Sequence, residues 1–333
     1  MNQPSDGGGS SPQPTPIPLV VYRELRIGMV VIMAMLGVAV IFDWIPATHW
    51  QMALSEYFYT SAHGVFIGAL LALTTLLFIY KGRSDTEDAF LTLVGVCTFT
   101  AALVPQGSPK VWPQKGLPED YIIENFVLPN VGAVVVALVL GWSLALLQYR
   151  LTHSQQTRSP GGRLALYFLR LVVAVGVIAL VVAWLVPPFR KPFILYAHGA
   201  AGTLMILSFI VTVLCAADIA GREQESESTH PHRYRTIYRV IAGLMLVTLI
   251  AVVILHFVLK DNWRYWILAL ESFLILEFAA YWVVQSIELW DSPDPRERLP
   301  EDARPRPVER GKRRLGGLRD EVAQARKDGR SWL

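Results

Sequence analysis

"LALESFLILEFAAYWVVQSIEL", residues 268–289, decides how this chain is read. It has the length of a membrane span, which needs ~20 apolar residues to cross about 30 Å of hydrocarbon. Yet Glu271 and Glu277 sit in its body. A carboxylate near the bilayer centre costs about 2.5–3.5 kcal/mol on insertion scales, so such acids belong to a bundle interior. Glu277, Tyr281, Gln285 and Glu288 are spaced by four, four and three residues and therefore share one helical face. Lipid offers that face no hydrogen-bond partner, so it reads as a buried stripe. Glu271 lies about 240° of helical rotation away from Glu277 and serves a different face. Glu277, nearest the midplane, is expected to be protonated or paired. Arg170 is the only basic residue well inside a span, and it either pairs with the lower stripe or snorkels to the interface.

The rest of the chain agrees with a membrane protein. It is 333 residues long, 53% hydrophobic and only 17% charged, where a soluble domain carries about 25%. Cys97 and Cys215 each lie in an apolar run and read as small fillers, not as a disulfide framework. Eight spans are expected, near 26–44, 63–80, 89–105, 126–148, 165–187, 194–218, 238–258 and 265–287. The fold class is thus all-α, a polytopic transmembrane bundle over 23–290. Residues 1–22, rich in Gly, Ser and Pro, read as disordered and carry no removable signal peptide. Residues 291–333 form a charged, largely disordered tail. Gly64, Gly68 and Ala72 make a small-residue ridge at four-residue spacing, which suits close helix packing.

Orientation follows from the basic residues of the loops. With the N-terminus inside, inner segments hold eleven Lys and Arg, outer loops six, and the tail adds twelve inside. Both termini are therefore expected to be cytoplasmic, in a plasma membrane. Loop 106–124, with Trp112 and Tyr121, should cover the outer mouth of the bundle. Lys312, Arg313 and Arg314 form a basic cluster suited to anionic lipid headgroups, at about 1 kcal/mol per charge. Nucleic acid is not an expected partner, because that cluster is small and interspersed with acids.

This orientation places Asp43, His63, His198, His256 and Glu271 at similar depth toward the outer leaflet, from five different spans. Three uses of that level stay open. His63, His198 and His256 could bind a metal, zinc being the natural one, and leave a position for water. The group could form a polar pocket for a ligand or a proton relay. Or each residue could simply hydrogen-bond its neighbours. No pair shows local metal-binding spacing such as H-x-x-x-H.

"SEYFYTSAHGVFIGALLALTTLLFIYKG" (55–82), "IYRVIAG" (237–243), and Glu271 followed by Trp282 resemble a group of uncharacterised bacterial multi-pass proteins with about six helices. The matching positions are Tyr59, Thr60, His198, Tyr238, Arg239, Glu271 and Trp282, with spans four and five as an insertion. His63 and Gly64 depart from that pattern. The resemblance implies a bacterial inner-membrane bundle in which His198 and Glu271 matter, and it implies no reaction. A remoter likeness to the ceramidase-like superfamily of seven-helix metal hydrolases rests on histidines and serines at helix ends, without that superfamily's paired histidines. Two functions follow as expectations. One is a membrane protein that binds or moves a small molecule, lipid or proton through a polar outer-leaflet pocket. The other is a membrane-embedded, metal-dependent hydrolase or transferase acting on lipid.

Overall fold

The computed structural model describes residues 17–47, 50–106, 119–130, 159–222, 231–258 and 265–291, with isolated helical positions between 134 and 147. The described residues form helices and no strand. Helix α1 is Ile17–Ala47, α2 His63–Ile79 and α3 Asp85–Leu103. A helical stretch, α4, covers 119–130 and includes a π-helical turn at Ile123–Val127. Then come α5 (Pro160–Leu185), α6 (Arg190–Ala220), α7 (Pro231–Val258) and α8 (Trp266–Glu288). A 3-10 helix, Leu54–Tyr59, precedes α2, and another, Pro187–Phe189, precedes α6.

Local chemistry explains several of these boundaries. Ser84 caps α3 by accepting the Glu87 N–H at 3.2 Å. Glu87 reaches back to the Arg83 N–H at 2.8 Å, one residue beyond the usual capping-box partner. Ser159 caps α5 through the Gly162 N–H at 3.0 Å, and Pro160 takes the first helical position, where its missing donor costs nothing. The Val186-Pro187-Pro188 sequence ends α5, because proline bars helical conformation at the residue before it.

Six of these helices, α1, α3, α5, α6, α7 and α8, are long and apolar enough to cross a membrane. Six of the eight expected spans are thus matched among the described residues. Helix α2 has 17 residues and falls just short of that criterion, and most of the expected span 126–148 lies outside the described residues. Helix α1 begins at Ile17, so the end of the segment expected to be disordered is helical. Its residues Ile17–Tyr22 are apolar and continue the helix without a break. Residues 1–16, loop 107–118, and the tail with Lys312, Arg313 and Arg314 lie outside the described residues.

The helices alternate in direction between two ends. At the near end lie the start of α1, loop 80–84, and the ends of α6 and α8; Arg23 pairs there with Asp291 at 3.1 Å. At the far end the Leu268 N–H of α8 bonds the Met52 carbonyl at 3.0 Å, beside the 3-10 helix. Half of the apolar window of α3 is buried against 11% for α5, so α3 is central and α5 peripheral. On α5, exposed Tyr167 and Trp184 are 17 positions apart, about 26 Å by helical rise, which matches aromatic belts at two membrane interfaces. Trp44 stacks on Trp50 at the far end with centroids 4.7 Å apart, and Trp290 lies under the Arg23 guanidinium at the near end.

The small-residue ridge does not mediate packing. A Cβ added at Gly64 or Gly68 would meet nothing within 4 Å. That side of α2 faces outward, because Phe66, Ala69, Leu73 and Leu77 turn the other face inward. Close approach occurs instead at Gly95, where an added Cβ would lie 2.7 Å from the Phe78 ring.

Candidate functional site

The buried stripe of α8 meets its partners at the near end. Arg83 is fully buried and bonds Glu288 at 3.0 Å through Nη1 and the Ala216 carbonyl at 3.3 Å through Nη2. Tyr238 donates its hydroxyl to the other Glu288 oxygen. Tyr281 donates to Glu87 at 3.3 Å, Gln285 donates to the Tyr281 hydroxyl at 2.8 Å, and Tyr80 donates to the Gln285 oxygen at 3.0 Å. Arg26, also fully buried, donates to the Leu289 carbonyl at 3.1 Å, where a cation suits the C-terminal end of α8. Two buried guanidinium side chains, Arg26 and Arg83, thus share this end with two buried carboxyl side chains, Glu87 and Glu288. Burial by itself works against a charged Arg83, but Glu288, Tyr238 and Glu87 hold its pKa well above the usual value. The network ties loop 80–84 to α3, α6, α7 and α8. As a proton path it is broken by the Gln285 amide, which does not relay protons as a hydroxyl does.

Glu277 stands apart from this network. It is half-buried and accepts from Thr248 at 2.9 Å. Arg170 is exposed on α5 and does not join the stripe. The stripe's true partner, Arg83, sits in a loop that reads as solvent-facing in sequence. The signal was the stripe itself, since a buried Glu288 needs hydrogen-bond donors and a guanidinium is one group that supplies them.

Four of the five far-end residues have described side chains, and each is held by a separate partner. Asp43 accepts from Ser61. His63 bonds the Phe58 carbonyl through Nδ1, and His198 bonds the Val104 carbonyl through Nδ1 at 2.7 Å. Glu271 accepts the Leu54 N–H at 2.6 Å, and Glu56 accepts the Met52 N–H at 3.0 Å. Both carboxylates therefore satisfy donors at the start of the Leu54–Tyr59 turn, which would otherwise lack acceptors. Tyr57 is buried beneath it, and burial pushes its phenol up to about 12, so it stays neutral. His256 lies in α7 near its far end, and its side chain is outside the described residues. Among the described residues, no group of three or more His, Cys, Asp or Glu is arranged to hold a metal ion.

A different feature of the far half is a cavity of about 720 Å³ between α3, α4, α5 and α6. Cys97, Thr100, Val127, Gly176, Leu180 and Phe193 are among its walls, and its described lining carries no charged residue. Thr100 spends its hydroxyl on the Val96 carbonyl at 2.9 Å, which leaves the wall predominantly apolar. Leu171 and Val175 both line the cavity and stand exposed on the outer face of α5. The cavity is therefore not closed off beside α5. Nothing in the sequence hints at this cavity, because apolar residues around a void read the same as apolar residues around a packed core.

Compared with protein-family models, with curated proteins and with solved structures, the chain gives no match. The site is accordingly read from its own geometry.

Proposed function

We infer that this multi-pass membrane protein holds an apolar, lipid-like molecule in the cavity between α3, α4, α5 and α6. The observation that carries this reading is the cavity itself. Its volume of about 720 Å³ falls within the roughly 300–1,000 Å³ of small-molecule sites. Its uncharged wall suits a ligand drawn from the bilayer, where burying each CH₂ contributes about 0.8 kcal/mol relative to water. His198, bonded to the carbonyl of the lining residue Val104, then fastens α6 to the end of α3 beside the site.

The fluorescent fatty acid cis-parinaric acid, titrated into purified protein in a mild detergent, tests the reading. Saturable binding with one site per chain is the expected result. Fluorescence that grows linearly with detergent partitioning, without saturation, would overturn it.

The finer topology belongs to the same proposal: eight spans in a bacterial plasma membrane, with α2 as a short span and 126–148 as the fourth. A stretch of 17 residues lies at the lower limit of about 17–25 for spanning helices. The excess of Lys and Arg at the near end supports a cytoplasmic location for both termini. Cysteines introduced at Ser108 and Ser292 report on this in intact cells with an impermeant thiol reagent. Labelling is expected at position 108 and not at 292, and the reverse would invert the molecule.

A further inference from the structure

The tripeptide Ala-His-Gly occurs twice, at 62–64 and at 197–199. It opens α2 and lies near the start of α6. Aligning the two copies brings four of the five buried positions of α2 onto buried positions of α6. Phe66, Leu73, Thr74 and Leu77 are buried on α2, and the residues 135 positions later, Ala201, Ser208, Phe209 and Thr212, are buried on α6. The preceding helices share four residues at one constant offset. Arg23, Ala34, Ala39 and Trp44 of α1 correspond, 140 positions later, to Arg163, Ala174, Ala179 and Trp184 of α5. The closing helices share Glu-x-Phe, at Glu124 to Phe126 and Glu271 to Phe273. On the eight-span topology proposed above, four spans per half leave both halves in the same orientation, as in parallel membrane repeats.

This correspondence explains the cavity. In the first half, Leu36, Val40, Ala62, Phe66 and Ala69 form a packed cluster with Tyr57, Phe58 and Tyr59. The five corresponding residues of the second half are Gly176, Leu180, Ala197, Ala201 and Leu204, and all five line the cavity. The two largest losses are Leu36 to Gly176 and Phe66 to Ala201. A third difference is in the backbone. Leu54–Tyr59 leaves the path of α2 and folds over the first-half cluster, pinned by Glu271, whereas the corresponding stretch is helical from Arg190 onward. A Cβ built at Gly176 meets nothing within 4 Å.

Resting on the ligand reading above, we propose that the chain is a tandem duplication of a four-helix unit in which the first half is plugged by its own aromatic segment. The second half keeps the same position vacant for the apolar part of a membrane lipid. Gly176 and Ala201 are then its specificity-determining residues: their small size sets the width of the site. The ligand portion they admit occupies the space that Leu36, Phe66 and the rings of Tyr57 and Tyr59 fill in the first half. It enters between α5 and its neighbours from hydrocarbon, so a lipid already in the bilayer needs no path through water.

Two double variants test the correspondence. Gly176→Leu/Ala201→Phe rebuilds the first-half packing inside the cavity. Its melting temperature should rise by several degrees in detergent, and its affinity for cis-parinaric acid should fall by about ten-fold or more, equivalent to about 1.4 kcal/mol. Leu36→Gly/Phe66→Ala empties the first-half cluster instead, and should lower the melting temperature while leaving the probe affinity at the wild-type value. A filled variant that melts lower than wild type would mean the side chains collide instead of filling, and the alignment of halves would be wrong. A filled variant that melts higher yet binds the probe as tightly would remove the ligand from this cavity. If wild type binds no probe while the filled variant still gains stability, the duplication stands and the lipid-binding function falls.

Discussion

Arg83→Ala is expected to cost about 3–5 kcal/mol of stability, the range for removing one partner of a buried ion pair. Both members are dry, with side-chain exposures of 0% and 1%, so Glu288 would be left as a buried charge with Tyr238 as a remaining hydrogen-bond donor. Arg83→Lys should also be costly. An ammonium cannot reproduce the fork that reaches Glu288 and the Ala216 carbonyl together. The informative companion is Arg83→Met/Glu288→Leu, which removes both charges and should recover much of the loss. Glu87 survives that change because one of its bonds comes from the Arg83 main-chain N–H, which every side chain retains. Reversible unfolding in mixed micelles measures all three variants. A cost for Arg83→Ala below about 1 kcal/mol, typical of solvated surface pairs, would mean that water reaches this end of the bundle.

Glu271→Ala is expected to destabilise by about 1–3 kcal/mol, because it strips a part-buried backbone donor, the Leu54 N–H, of its acceptor. Glu271→Gln should cost clearly less, since an amide oxygen still accepts that bond. Glu277→Gln should be nearly silent: Thr248 can donate to an amide oxygen as to a carboxylate. In the same unfolding assay Glu271→Ala should therefore cost most, Glu271→Gln less and Glu277→Gln least. That order assigns Glu271 chiefly to fastening the Leu54–Tyr59 turn, where the sequence suggested a ligand-binding acid. If Glu271→Gln instead abolished probe binding at unchanged stability, that residue would belong to the site and not to its frame.

What the sequence determined by itself was the material of the fold. Apolar runs near 20 residues forced helices in a bilayer, because hydrocarbon leaves backbone groups no partner but each other. The spacing of Glu277, Tyr281, Gln285 and Glu288 was enough to place a polar face inward, since helical periodicity is a local property. Tyr281, Gln285 and Glu288 are buried in one network, while Glu277 turns to Thr248.

Only the tertiary structure decided which groups meet. Arg26 and Arg83 look like interfacial charges in sequence, yet both are fully buried against the end of α8, more than 200 positions away. From sequence, Asp43, His63, His198 and Glu271 are expected at one level, but depth along a helix fixes only one coordinate. Rotation and helix neighbours send each of them to a different acceptor or donor. The cavity was beyond sequence for the same reason. A void is defined by atoms that fail to touch across three or four helices, and Gly176 and Ala201 acquire meaning only when α3, α4, α5 and α6 surround them.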